Sequence, residues 1–65
     1  MEVEKTIRLD QFLKMMGLVS TGGEAKVLIQ SGEVLLNGDV EIRRKKKIRI
    51  GDEVELFGEK VTVSF

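Results

Sequence analysis

Apolar positions in the first half of the chain repeat with a helical period. Leu9, Phe12, Leu13 and Met16 fall at i, i+3, i+4 and i+7, the stripe of an amphipathic helix. Asp10, Gln11 and Lys14 occupy the opposite face, and Gly17 ends the helix. Ahead of it, Val3, Lys5 and Ile7 in "VEKTI" alternate loosely, which predicts a short edge strand. A second helix is predicted to begin after Thr21. Thr21 can cap it, and Glu24 three residues later completes an S/T-x-x-E capping box. Ala25, Leu28 and Ile29 form its apolar stripe, and Gly32 closes it. The connection Leu18-Val19-Ser20 is short, so the two helices are expected to be spatial neighbours.

From residue 33 the period changes from helical to alternating. "EVLLNGDVEI" is a hairpin signal with Asn37-Gly38 as a two-residue type I′ turn. "IRI" at Ile48 to Ile50 alternates apolar with basic residues. "GDEVELFGEKVTVSF" predicts two more strands, Glu53 to Phe57 and Lys60 to Ser64, joined at Gly58-Glu59. With no Pro, no low-complexity segment and no internal repeat, residues 1–65 are predicted to form one domain. Its expected class is α+β, with two short helices packed on one face of a small, mostly antiparallel sheet.

Size and composition narrow the function. A domain of 65 residues cannot enclose a large substrate cleft, so function is expected on its surface. Apolar residues at 42% and charged residues at 34% suit a folded domain. The longest apolar runs, such as Val27-Leu28-Ile29, are far short of the about 20 residues a membrane helix needs. "MEVEKTIRLD" has no apolar core of a signal peptide. The absence of Cys excludes disulfides and thiolate metal sites and suits a reducing cytoplasm. Without His or Cys, Ser20 and Ser31 have no imidazole to activate them, and no G-x-x-x-x-G-K-[ST] loop occurs. No carboxylate pair marks an acid/base or metal site. The chain is therefore expected to be no enzyme and to carry neither cofactor nor metal.

Charge is balanced in sum but not in distribution. Residues 5–50 hold ten Lys/Arg against five Asp/Glu, whereas residues 51–65 hold four Asp/Glu against one Lys. Six of the eleven basic residues, Arg43, Arg44, Lys45, Lys46, Lys47 and Arg49, lie within seven positions. A Lys-rich strand edge that blocks association explains one or two of them. Six mutually repelling charges point instead to a polyanionic partner, and such asymmetry is a pointer to nucleic acid. In an extended segment Arg43, Lys45, Lys47 and Arg49 would share one face, with Ile48 and Ile50 turned inward. Arg44 and Lys46 would lie on the other side, in a loop before the strand. No amphipathic helix or lipid anchor accompanies the cluster, which disfavours a membrane surface.

The ordered motifs Arg8-Leu9-Asp10, Gly17-Leu18, Thr21, Ala25-x-x-Leu28-Ile29, Gly32-Glu33-Val34, Asn37-Gly38 and Gly51-Asp52 resemble the S4 RNA-binding domain over roughly residues 7–57. "STGGEAK" and "RRKKKIRIGD" further resemble its free-standing small bacterial subgroup, associated with ribosomal RNA and ribosome maturation. The resemblance implies the alpha-L RNA-binding motif and a non-enzymatic contact with structured RNA, chiefly ribosomal RNA or a ribosomal particle. It also implies that Arg8 and Lys14 border the RNA surface and that the basic stretch completes it. Where the family usually has Ser-Arg at the start of the second helix, this chain has Thr21-Gly22, so the hydroxyl cap is kept and the arginine is not. Gly22 and Gly23 would let a phosphate approach the free N–H groups of the first turn, with Lys26 one turn on.

Alternative readings accompany these. Asp10 suits the helix dipole, Asn37-Gly38 and Asp52 suit plain turns, and Phe12, Phe57 and Phe65 suit packing rather than base stacking. The glycine pair is open to simple steric need. As a whole, the chain could instead be a protein-interaction adaptor, using its acidic C-terminal strands and basic arm, or the RNA-targeting subunit of an RNA-modifying enzyme. Few aromatics and no long recognition helix weigh against single-strand stacking and DNA base readout.

Overall fold

A computed structural model describes residues 5–65. Strand β1 (Thr6–Arg8) runs without a loop into α1 (Leu9–Met15), and α2 spans Gly22–Gln30. Five strands follow: β2 (Val34–Leu36), β3 (Asp39–Val40), β4 (Lys47–Arg49), β5 (Glu53–Leu56) and β6 (Glu59–Thr62). The fold is α+β, and every strand pair is antiparallel. The strands form two sheets rather than one, a β1–β4 ribbon and a four-stranded sheet in the order β3-β2-β5-β6. Val3 lies outside the described residues, and the expected first strand is present as β1.

The helical stripes close the core. Leu9, Phe12 and Leu13 of α1, with Ala25 and Ile29 of α2, are buried against Val34, Val54 and Leu56 of the larger sheet and Ile48 of the ribbon. Leu28 packs at the margin. Met16 does not join them. It caps the end of α1, half-exposed, because the chain turns there and Leu18 and Val19 fill the space instead. At the start of α2, Glu24 N–H donates to Thr21 Oγ1 at 3.1 Å, as the capping box requires. The Glu24 carboxylate reaches one residue further back and accepts from Ser20 N–H at 2.8 Å.

Asn37 and Gly38 both have positive φ, 51° and 87°, so β2 and β3 join through the expected primed turn. The β5–β6 turn differs from expectation. Its central residues are Phe57 and Gly58, not Gly58 and Glu59, with φ of 52° and 80°. Glycine thus takes the second turn position, as Gly38 does, and Val63 goes on pairing with Asp52 and Gly51 beyond β6. Ile50 also departs from expectation. Asp52 N–H donates to Arg49 O at 3.1 Å, closing a turn after β4 that leaves Ile50 exposed.

Candidate nucleic-acid interface

The candidate surface is built around the junction of β1 and α1. In the ribbon, Ile7 pairs with Ile48 and Arg8 with Lys47. Ile48 is buried, so alternation turns Arg8, Lys47 and Arg49 outward on one face. Two cations directly opposite one another are mildly destabilising in a ribbon.

Residues 41–46 form a stitched arm rather than a free tail. The N-cap residue of α1, Arg8, makes no side-chain cap, and main-chain carbonyls of the arm take the first two N–H groups instead. Leu9 N–H donates to Lys46 O at 2.8 Å and Asp10 N–H to Arg44 O at 3.0 Å. This bends the arm into a turn, closed by Lys46 N–H donating to Arg43 O at 3.1 Å. The expected extended array is therefore not formed. Arg43, Lys45, Lys47 and Arg49 do not lie along one straight strand, because only residues 47–49 are strand.

The six cations of the arm divide. Arg44 turns toward the helices and joins Arg8, Asp10, Gln11, Lys14 and Gly22 around a concavity of about 110 Å³. Arg43, Lys46, Lys47 and Arg49 line a second concavity of about 330 Å³, beside Asn37, Asp39, Val40 and Asp52. Lys45 sits exposed in the turn between them. Thr21, Gly23 and Lys26 are exposed on the first turns of α2, next to the smaller concavity but outside its wall.

Carboxylates fix this arrangement. Arg43 donates from Nε and Nη2 to the two Glu41 oxygens at 2.9 and 3.1 Å. The Arg43 hydrogen bond holds the Glu41 carboxyl below the usual range against the opposing effect of burial, and the same pairing raises the Arg43 guanidinium. Asp52 accepts from Arg49 N–H at 2.8 Å and from Asn37 Nδ2 at 3.2 Å. The Arg49 N–H bond is the main cause that lowers its pKa. Glu53 N–H in turn donates to Asn37 Oδ1 at 2.9 Å. Asn37 and Asp52 are thus more than separate turn residues, because they lock the β2–β3 turn to the end of β4. Among the described residues Lys14, Lys26, Lys45, Lys46 and Lys47 form no ion pair. No cluster of potential metal ligands occurs among those residues, and no helix is long and apolar enough to cross a membrane. Phe12 is core, while Phe57 and Phe65 are exposed.

A family model described as the S4 domain matches residues 2–64. The chain belongs to the S4 domain family. It is 42% identical over 52 residues to a protein of Bacillus subtilis (strain 168) named "Probable ribosome maturation protein RlbA", covering 80% of this chain and 73% of that one. It is also 37% identical over 57 residues to "Putative RNA-binding protein YbcJ" of Escherichia coli (strain K12), covering 88% of this chain and 81% of that one. Two of the S4 motifs noted in the sequence meet in space and a third forms an element junction. Arg8-Leu9-Asp10 forms the β1–α1 junction, while Asn37-Gly38 and Gly51-Asp52 are joined through Asn37 and Asp52.

Asp10 sits in the first turn of α1 as expected, but it does more than the helix-dipole reading gives it. It is buried rather than on an open polar face, and it bridges Arg8 and Arg44 at 3.2 and 3.6 Å. Arg8 two residues away is a local hint. Nothing in the sequence connects Asp10 with Arg44.

Proposed function

We propose that this S4 domain is a non-enzymatic RNA-binding module of the cytoplasm that docks on structured RNA, with ribosomal RNA as its target in ribosome assembly or translation. The supporting observation is the convergence of Arg8, Lys14 and Arg44 with Gly22 on one concavity, from segments far apart in the chain. Cations spread over a rigid surface with few exposed aromatics suit phosphate and 2′-hydroxyl contact, read by shape. The names of the relatives agree with this reading. Sedimentation of the tagged protein in lysate tests it. Salt-sensitive co-migration with ribosomal particles is expected. A complex that resists RNase would favour the adaptor instead.

The glycines sharpen the site. A Cβ on Gly22 would meet nothing within 4 Å, and one on Gly23 only Thr21 Oγ1 at 3.9 Å. Neither glycine has a positive φ. Packing and backbone geometry therefore do not require glycine here, although each costs a helix about 0.5–1 kcal/mol relative to Ala. Close approach of an RNA phosphate to the first turn of α2 accounts for both. Gly22→Ala with Gly23→Ala should raise the melting temperature and weaken RNA binding. Calorimetry beside a filter-binding titration checks this, and unchanged affinity would remove the glycines from the interface.

A further inference from the structure

Asp10 is an acidic residue in the wall of a cationic concavity, where simple electrostatics would have it oppose RNA. Its side chain is only 5% exposed, against 44% for Arg8 and 34% for Arg44. One oxygen, Oδ1, accepts from Arg8 Nε at 3.2 Å and from Gln11 N–H at 2.9 Å. The other, Oδ2, lies 3.6 Å from Arg44 Nε. Arg44 is held twice, because its carbonyl also accepts from Asp10 N–H at 3.0 Å. One carboxylate thus ties together two arginines that would otherwise repel each other, and both line the same concavity with Lys14.

Resting on the RNA reading of this face, we infer that Asp10 is a positioning residue for RNA binding: it fixes the Arg8 and Arg44 guanidiniums at the spacing in which they meet RNA phosphate. An arginine is planar and its remaining N–H donors form a fork, so engaging Nε leaves the terminal nitrogens for phosphate. Holding both side chains before RNA arrives lowers the ordering cost of binding. The gain from this order outweighs the repulsion of one screened carboxylate.

The consequence runs against charge counting. Asp10→Asn removes one negative charge and so raises the net charge by one, and the Asn oxygen can still accept from Gln11 N–H. It should nevertheless weaken binding to refolded total ribosomal RNA by about fivefold or more. The salt dependence should stay unchanged, because the same cations remain. Glu33→Gln is the matched control. Glu33 is exposed, lines neither concavity and pairs with no cation among the described residues, so its removal should leave affinity equal or slightly higher. A residue needed only for folding would lower the melting temperature without changing the affinity of the folded protein. A positioning residue also shows itself in the Arg8 Nε–H resonance, whose hydrogen-bonded shift should be lost in Asp10→Asn while the backbone amide spectrum persists. If Asp10→Asn does not fold, Asp10→Glu decides, since it keeps the negative charge and both arginines and displaces the carboxylate that holds them. A comparable loss supports the inference and wild-type affinity overturns it. Asp10→Asn binding as tightly as Glu33→Gln overturns this inference alone. Wild-type protein that fails to bind the RNA overturns the RNA reading and this inference together.

Discussion

Replacing Lys14, Lys45, Lys46 and Lys47 by Gln should lower RNA affinity by about a thousandfold at 0.1 M salt and leave the fold intact. These four ammonium groups form no ion pair among the described residues, so their removal leaves no carboxylate stranded. Each phosphate contact contributes a slope of roughly −0.7 to −0.9 to log affinity against log salt. If the wild type neutralises about six phosphates, its slope is about −4 to −5, and the variant should retain about −1 to −2. The two lines must then converge as salt approaches about 1 M, where counterion release has no driving force. A titration series from 0.05 to 1 M salt measures both slopes. Equal slopes would show that RNA, if bound, is held by other groups. The choice of lysines follows from the structure. Changing all six arm cations would also free the buried Glu41 from Arg43 and break the Asp10–Arg44 tie, which would mix loss of folding with loss of contact.

Which parts of this arrangement could be read from the sequence depends on how local their causes are. The α1 stripe, the Thr21–Glu24 cap and the Asn37-Gly38 turn each arise from residues within a few positions, and all are present. Errors appear where something other than the local period decides the outcome. Met16 fits the helical period but loses its place to Leu18 and Val19. The basic stretch alternates like a strand, yet its first half bends because the uncapped start of α1 needs the Arg44 and Lys46 carbonyls. That requirement belongs to residues 9 and 10, and periodicity inside the arm cannot reveal it. The same bend sends Arg44 to the helices and leaves Arg43 with Glu41. The clustering of basic residues is visible in the sequence, while the division of Arg44 from Arg43, Lys46, Lys47 and Arg49 between two concavities is not. Asp10 is the sharpest case. Its first-turn position satisfies a local rule, and its partner is supplied by the fold.

Phe12→Ala should come close to unfolding the domain. Phe12 is fully buried and is the largest side chain in the core. Phe-to-Ala truncation in a core costs about 3–5 kcal/mol, the sum of lost transfer energy and an unfilled cavity. A domain of 65 residues has only about 3–10 kcal/mol in total. A thermal melt should therefore shift down by about 15–30 °C, and a shift below about 5 °C would mean that the core closes without Phe12. The consequence for binding is specific. Phe12 docks the same helix whose other face carries Gln11 and Lys14, and whose first turn accepts the arm. Undocking α1 releases the Arg44 and Lys46 carbonyls and disperses the concavity, so RNA affinity should fall together with stability. The lysine variant should lose affinity at an unchanged melting temperature. These opposite signatures separate the two tasks of α1: its apolar stripe sets whether the surface exists, and its polar face sets what that surface binds.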